Sequence, residues 1–237
     1  MSRRNKLQKF AEILAFPHVY ENFNPKAPQL TGKDGAIVDL KGKWASAHFG
    51  NDRPITLELA CGRGEYTLQL ARKYPQRNFI GVDIKGARIW KGASMALAEG
   101  LHNVAFLRTR IEQVDLFFAP DEVSEIWITF PDPFLGKSNR RLTAPRFIER
   151  YRRFLRPDGL CHLKTDDPTL FEFSVATLRD LPGVDILYQD EDIYAKPLPT
   201  PELDFKTYYE ALHLRDQKTI KYLRFRLSSI PTPEATL

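Results

Sequence analysis

From residue 55 onward, short apolar runs alternate with amphipathic stretches along the chain. Residues 55–60, 78–84, 103–108 and 125–130 read as strands, because each is a brief apolar or alternating run bounded by turn residues. Between them, residues 65–74 and 87–99 carry apolar positions at helical spacing, closed by Pro75 and Gly100. A further helix is expected over 145–155, where Phe147, Ile148, Tyr151, Phe154 and Leu155 form one apolar stripe. Thr143 stands at its expected N-cap, and Pro145 lies in the first turn. Pro157-Asp158-Gly159 then turns the chain into a fifth strand at 160–164, followed by a helix at 168–181 and strands at 184–188 and 220–228. Strands alternating with helices predict an α/β fold, a mostly parallel sheet with helices on both faces. Ahead of this pattern, residues 3–15 suggest a short amphipathic helix, and 16–54 an irregular, partly extended lead-in. Residues 195–205 read as an extended loop, and the tail after the last strand as frayed.

Composition changes this picture little: 43% hydrophobic and 27% charged residues suit a globular domain. No run of eighteen apolar residues occurs, and the first residues lack a signal peptide's apolar region, so a soluble, cytoplasmic protein without membrane association is expected. Cys61 and Cys161 match no zinc spacing and read as buried strand-end residues; no metal site is expected. Charge is more informative. Of the net +5, the stretch 136–156 carries +7 through Lys137, Arg140, Arg141, Arg146, Arg150, Arg152, Arg153 and Arg156 against Glu149. Arg3, Arg4, Lys6 and Lys9 form a second basic segment near the start. Two concentrated basic segments on an otherwise acidic chain fit a polyanion footprint, although a solvated helix face fits the first equally well.

In a doubly wound sheet, ligands bind beyond the carboxyl ends of the strands. The first strand ends in Glu58-Leu59-Ala60-Cys61-Gly62-Arg63-Gly64. A dinucleotide fingerprint wants a third Gly or Ala where Thr67 stands, which disfavours a pyrophosphate loop. An acid followed by Gly-x-Gly suits a cofactor with an amino-acid end and a nucleoside end, such as S-adenosylmethionine. An ordinary glycine turn satisfies the same residues. Asp83, ending the second strand, can accept hydrogen bonds from both ribose hydroxyls or can cap a helix. Pro131-Asp132-Pro133 holds an acid rigidly after the fourth strand, with a plain turn acid as the alternative; Thr165-Asp166-Asp167 adds acids after the fifth, where an Asx turn or helix cap is the alternative.

Taken in order, Glu58-x-x-x-Gly62-x-Gly64, Pro131-Asp132-Pro133, Arg140-Arg141-Leu142, Leu155-x-Pro157-x-Gly159, Thr165-Asp166 and Thr207-x-Tyr209-Glu210 resemble the bacterial tRNA (guanine-N7)-methyltransferases over residues 50–227. The resemblance implies a Rossmann-like class I methyltransferase fold with seven strands, the last antiparallel. It implies a basic helix and lead-in at 1–50, a methyltransferase domain at 51–230 and a frayed tail at 231–237. It implies methyl transfer from S-adenosylmethionine to guanine N7 at position 46 of tRNA. It places Glu58, Gly62, Gly64, Asp83 and Arg110 at the cofactor, and Asp132 between cofactor and base as the catalytic residue. Gly136, Lys137, Asp166, Thr207, Tyr208, Tyr209 and Glu210 fall at the substrate. Three departures stand out. Ala60 replaces a usual glycine, Arg110 a usual acid, and Gly136 the usual substrate lysine, with Lys137 beside it. Guanine N7 offers an in-plane lone pair, so no general base is required, and the absence of a Ser-His-Asp or Cys-His grouping fits that. Two rivals share parts of this pattern: a same-fold methyltransferase with another substrate, and an RNA-binding protein with a decayed cofactor pocket. Monomer and homodimer both remain compatible with the sequence.

Overall fold

The computed structural model describes residues 4–228. Arg3 and the 231–237 tail lie outside the described residues. Ten strands form one sheet: β1 (Val19–Glu21), β2 (Leu30–Thr31), β3 (Ile37–Val38), β4 (Ile55–Leu59), β5 (Asn78–Asp83), β6 (Val104–Arg108), β7 (Val123–Thr129), β8 (Leu155–Thr165), β9 (Val184–Asp190) and β10 (Lys221–Leu227). Their spatial order is β3-β2-β1-β6-β5-β4-β7-β8-β10-β9. Strands β6, β5, β4, β7 and β8 are mutually parallel, and β10 runs antiparallel between β8 and β9. Successive strands move one way from β4 to β6, then reverse to β7 beside β4. That reversal opens a crevice at the carboxyl ends of β4 and β7.

The two faces follow from period-two alternation on central strands buried on both sides. Leu57, Ile80, Ile126 and Leu163 face one side, packed with residues of α4 (Pro145–Tyr151) and α5 (Pro168–Asp180). Phe79, Phe106, Trp127 and Tyr222 face the other, against α2 (Glu65–Lys73) and α3 (Gly86–Ala98). Two further helices, α1 (Lys6–Ile13) and α6 (Tyr208–Arg215), flank this core.

The seven expected strands are all present, and the lead-in adds three more. β1 pairs in parallel with β6, and β2 and β3 continue the edge antiparallel. Side chains remote in sequence fasten this segment. Trp44 is fully buried and donates its indole N–H to the Phe117 carbonyl at 2.8 Å. Glu122 accepts the backbone N–H groups of Gly42 and Trp44. Neither contact has a local periodicity, which is why this stretch reads as irregular from sequence.

Around α4 the expectations need correction. The helix stops at Tyr151 rather than Leu155, because Leu155 already pairs with Val123 in β8. The expected N-cap, Thr143, instead bonds Ser174 of α5 at 2.6 Å, and Ala144 occupies the cap without a side-chain bond. Pro157-Asp158-Gly159 does not precede β8 but forms a bulge within it: Leu155 aligns with Val123, and Leu160 with Glu125. A Cβ on Gly159 would stand 2.5 Å from Leu155 Cγ.

The basic run is also not one open surface. Arg150 and Arg153 both bind the buried carboxylate of Asp115, at 2.6 and 2.8 Å, and Arg146 reaches Glu112 at 3.5 Å. Arg141 is buried and donates to the Pro133 carbonyl, and Arg152 holds the carbonyls of Pro182, Gly183 and Ser228. Lys137, Arg140 and Arg156 are exposed and have no acid partner among the described residues, and Arg156 sits at the far end of β8.

Asp115→Ala is expected to destabilise the fold by about 1–3 kcal/mol, since it leaves Arg150 half-buried and unpaired. Urea unfolding checks this; an unchanged midpoint would show that water replaces the carboxylate at no cost.

Candidate cofactor and substrate cleft

Glu58, the fourth residue of β4, points to the α2 side of the sheet and is 3% exposed. Its Oε2 accepts the backbone N–H of Thr67 at 2.8 Å and the Thr67 hydroxyl, and its Oε1 accepts the Thr129 hydroxyl of β7 at 2.7 Å. One carboxylate thus joins β4, the first turn of α2 and the end of β7. Burial pushes its pKa up to about 7, and the three donors only partly offset this. Thr67, which disfavours a dinucleotide loop in the sequence, is one of the two residues that hold this acid.

The loop above it needs left-handed backbone. Gly62 has φ +57° and Gly64, the N-cap of α2, has φ +66°. A Cβ on Gly64 would meet Phe106 at 2.5 Å, whereas at Gly62 it would meet nothing within 4 Å, so that backbone faces open space. Asp83 supports the loop from β5, accepting the N–H of Gly62 at 2.9 Å and of Lys85 at 2.7 Å. The small cleft over Glu58 is bounded by Gly62, Arg63, Arg88, Phe130, Thr207 and Tyr209.

Ala60 takes φ +60° in this loop, Phe130 takes +48° and Phe134 +44°. Such positions cost non-glycine residues on the order of 1–3 kcal/mol each, and they bracket the glycine loop and Pro131-Asp132-Pro133. Asp132 is exposed beyond β7, with Oδ1 accepting the Phe134 N–H at 3.0 Å, a turn that sets the carboxylate's direction. Asp166, at the end of β8, receives Lys218 at 2.7 Å and lies 3.4 Å from His213. Asp167 caps α5 through the Leu170 N–H.

Thr207 caps α6, a helix absent from the sequence reading, by accepting the Glu210 N–H. The Thr-x-x-Glu spacing was its legible signal. Glu210 does not close the capping box. Expected at the substrate, it is instead fully buried and pairs with Lys164 of β8 at 2.7 Å, while Tyr194 donates to it at 2.6 Å. Tyr208 and Tyr209 are half-exposed; Tyr208 donates its backbone N–H to Glu65 and stacks under Arg63, 5.1 Å from ring centre to guanidinium carbon.

The structure therefore brings Glu58, Gly62, Thr207 and Tyr209 to one cleft, with Asp83 behind its loop and Asp132 and Asp166 on neighbouring strand ends. Arg110 is exposed beyond β6 and does not line the cleft. Gly136 and Lys137 stand on the exposed loop between β7 and α4, and a Cβ at Gly136 would meet nothing. The roles of Thr67, Thr129, Arg88 and Lys164 escaped the sequence reading.

Comparison with known proteins gives a consistent result. Residues 52–223 match the family model described as "Putative methyltransferase". The tRNA (guanine-N(7)-)-methyltransferase of Bacteroides thetaiotaomicron is 49% identical over 226 residues, covering 94% of this chain and 86% of that one. Its counterpart in Christiangramia forsetii is 46% identical over 230 residues, covering 96% and 100%. Among solved structures, the 16S rRNA methyltransferase KamB superposes with a TM-score of 0.61 at 15% identity, covering 82% of this chain and 97% of that one, a likeness of fold.

Two outcomes are expected at this site. Ala60→Gly should stabilise the protein by about 1 kcal/mol in urea unfolding, because it relieves a left-handed alanine; a loss of stability would show that its methyl packing outweighs the strain. For Glu58 the folded pKa lies above the unfolded one, so its contribution is full below about pH 4.5 and is lost as pH rises through about 7. Glu58→Gln should remove that component, up to about 3 kcal/mol between pH 5 and 8. Thermal melts of both proteins across this range test it, and parallel profiles would refute it.

Proposed function

The chain belongs to the tRNA (guanine-N7)-methyltransferase family, and from that premise we infer that it transfers a methyl group from S-adenosylmethionine to N7 of a guanine in tRNA. This sets aside the two rivals, another substrate or a decayed pocket. The observation that carries the residue roles is the meeting of two buried carboxylates, Glu58 and Asp83, around a left-handed glycine loop at the switch point of the sheet.

The residues present fit the cofactor. A carboxylate has about four lone-pair directions. Glu58 uses three on Thr67 and Thr129, leaving one for an ammonium group. Asp83 uses two on backbone N–H groups, leaving two for a ribose diol. Gly62 keeps the backbone open towards both, and Gly64 allows α2 to pack against Phe106. Arg110 would take part only at the outer, adenine side, through its backbone. When bound, the cofactor supplies an activated sulfonium methyl group.

The chain's own work is alignment. Guanine N7 presents its lone pair without losing a proton, so Asp132 acts by position and charge: it holds the base edge and favours the positive charge that grows on the methylated ring. Its Asx turn and flanking prolines fix that carboxylate. Asp166, Thr207, Tyr208 and Tyr209 would contact the target nucleoside, which must leave its stack to enter. Lys137, beside Gly136, together with Arg140 and Lys9, would contact phosphates. The α4 arginines are committed to Asp115 and Glu112 and serve the fold. By family likeness the target is position 46 in the variable loop. Among the described residues no helix is long and apolar enough to cross a membrane, and both cysteines are free and buried, which supports a cytoplasmic setting.

Incubation with S-adenosylmethionine and unmodified tRNA transcript, followed by mass spectrometry of the digest, should yield 7-methylguanosine at one variable-loop site. Asp132→Ala should lose roughly 100-fold or more in turnover while keeping its fold. Near-normal turnover of the folded variant would remove Asp132 from the mechanism.

A further inference from the structure

Lys164 and Glu210 form an ion pair with no exposed side-chain surface on either partner. Lys164 lies in β8, level with Thr129 of β7 and Tyr222 of β10, and its ammonium points to the α2 side of the sheet. Nζ has three protons, and three acceptors surround it: the Leu203 carbonyl at 2.8 Å, the Phe205 carbonyl at 3.1 Å and the Glu210 carboxylate. The Glu210 carboxylate accepts a further hydrogen bond from the Tyr194 hydroxyl at 2.6 Å, and that hydroxyl also lies 3.2 Å from the Leu203 carbonyl. Tyr66 and Tyr194 rings close the ammonium off at 5.7 and 5.9 Å. Burial lowers the Lys164 pKa, and Glu210 opposes that.

Every group held this way belongs to residues 194–210, the stretch that runs over the sheet with one short helical turn and then forms the Thr207–Tyr209 lip of the cleft. A buried pair of this kind adds little net stability over an apolar pair of equal volume, so stability alone does not account for it. Its position does. Lys164 is adjacent to Thr165 and two residues from Asp166, so the strand end that carries this acid also fastens the lip.

We propose that Lys164 is a positioning residue for the target nucleoside, acting through Glu210 and the Leu203 and Phe205 carbonyls to set the Thr207–Tyr209 lip, and that Glu210 is its counter-ion and does not touch RNA. This rests on the reading that the lip faces the target guanine. The lip's location and the reaction it serves are tested separately below.

The test uses Lys164→Met, Glu210→Leu, the double variant, and Tyr194→Phe as a mild variant that keeps the ion pair. Turnover and KM for tRNA are measured per folded molecule, together with hydrogen exchange of amides 203–209. Each single substitution leaves a buried charge unpaired. It should cost at least about 10-fold in kcat and speed lip exchange by a similar factor. The double variant, with no unpaired charge, should recover most of both losses, and Tyr194→Phe should lose only a few-fold. A double variant no better than Glu210→Leu would overturn the proposal and make Glu210 a direct substrate ligand. Single variants with wild-type turnover and exchange would overturn it too, leaving the pair as a stability element. A wild type that methylates no guanine N7 would instead count against the functional reading, while the exchange data would still decide whether Lys164 sets the lip.

Discussion

The Glu58 carboxylate is the contact on which the site depends. It stands where β4 ends, in the crevice that the reversal of strand order opens, and three donors from α2 and β7 converge on it. Because the group is buried, those donors cannot turn to water without cost, so the first turn of α2 and the end of β7 are held in register with β4. That register places the glycine loop over the acid and directs Pro131-Asp132-Pro133 outward beside it. The same burial raises the carboxyl's pKa to about 7, leaving a group whose charge a cationic ligand would favour.

Around this contact the chain departs from relaxed backbone in a local way. Ala60, Phe130 and Phe134 are left-handed without being glycine, and all lie at the carboxyl ends of β4 and β7. The surrounding structure holds them there: Ala60 by the Asp83–Gly62 contact next to it, Phe130 by a backbone bond to the Lys164 carbonyl, Phe134 by Asp132. Strain of this kind persists only where neighbours over-determine the conformation, and here it aims side chains at the cleft. The lip on the other side is fastened in a different way, by a buried charge pair. The two sides of the cleft are thus positioned by independent means that meet on β8.

Charge is distributed for the fold as much as for a partner. Of the eight basic residues between 136 and 156, Arg146, Arg150 and Arg153 face acids of the segment before β7, and Arg141 and Arg152 satisfy backbone carbonyls. A count of charge along a chain cannot distinguish an arginine held by a buried aspartate from one facing solvent, because the acid lies some 35 positions away. The surface left for phosphates is smaller than the sequence implies, and concentrates near Lys137 and Arg140.

The sequence by itself determined strands β4–β10, helices α2 to α5, and the placing of Glu58, Gly62, Gly64, Asp83 and Asp132 at or just beyond strand ends. Each of these rests on short-range physics: periodicity, glycine backbone freedom, proline rigidity, and position relative to a strand end. The tertiary structure alone decided the three N-terminal strands, the bulge within β8, the commitment of the α4 arginines, the role of Thr67 and the burial of Glu210. All of these depend on partners distant in sequence. Trp44 needs Phe117, Arg150 needs Asp115, and Glu210 needs Lys164, 46 residues earlier. An acid in a helix's first turn looks the same in the sequence whether it faces water or an ammonium; only the packing of one element on another assigns it.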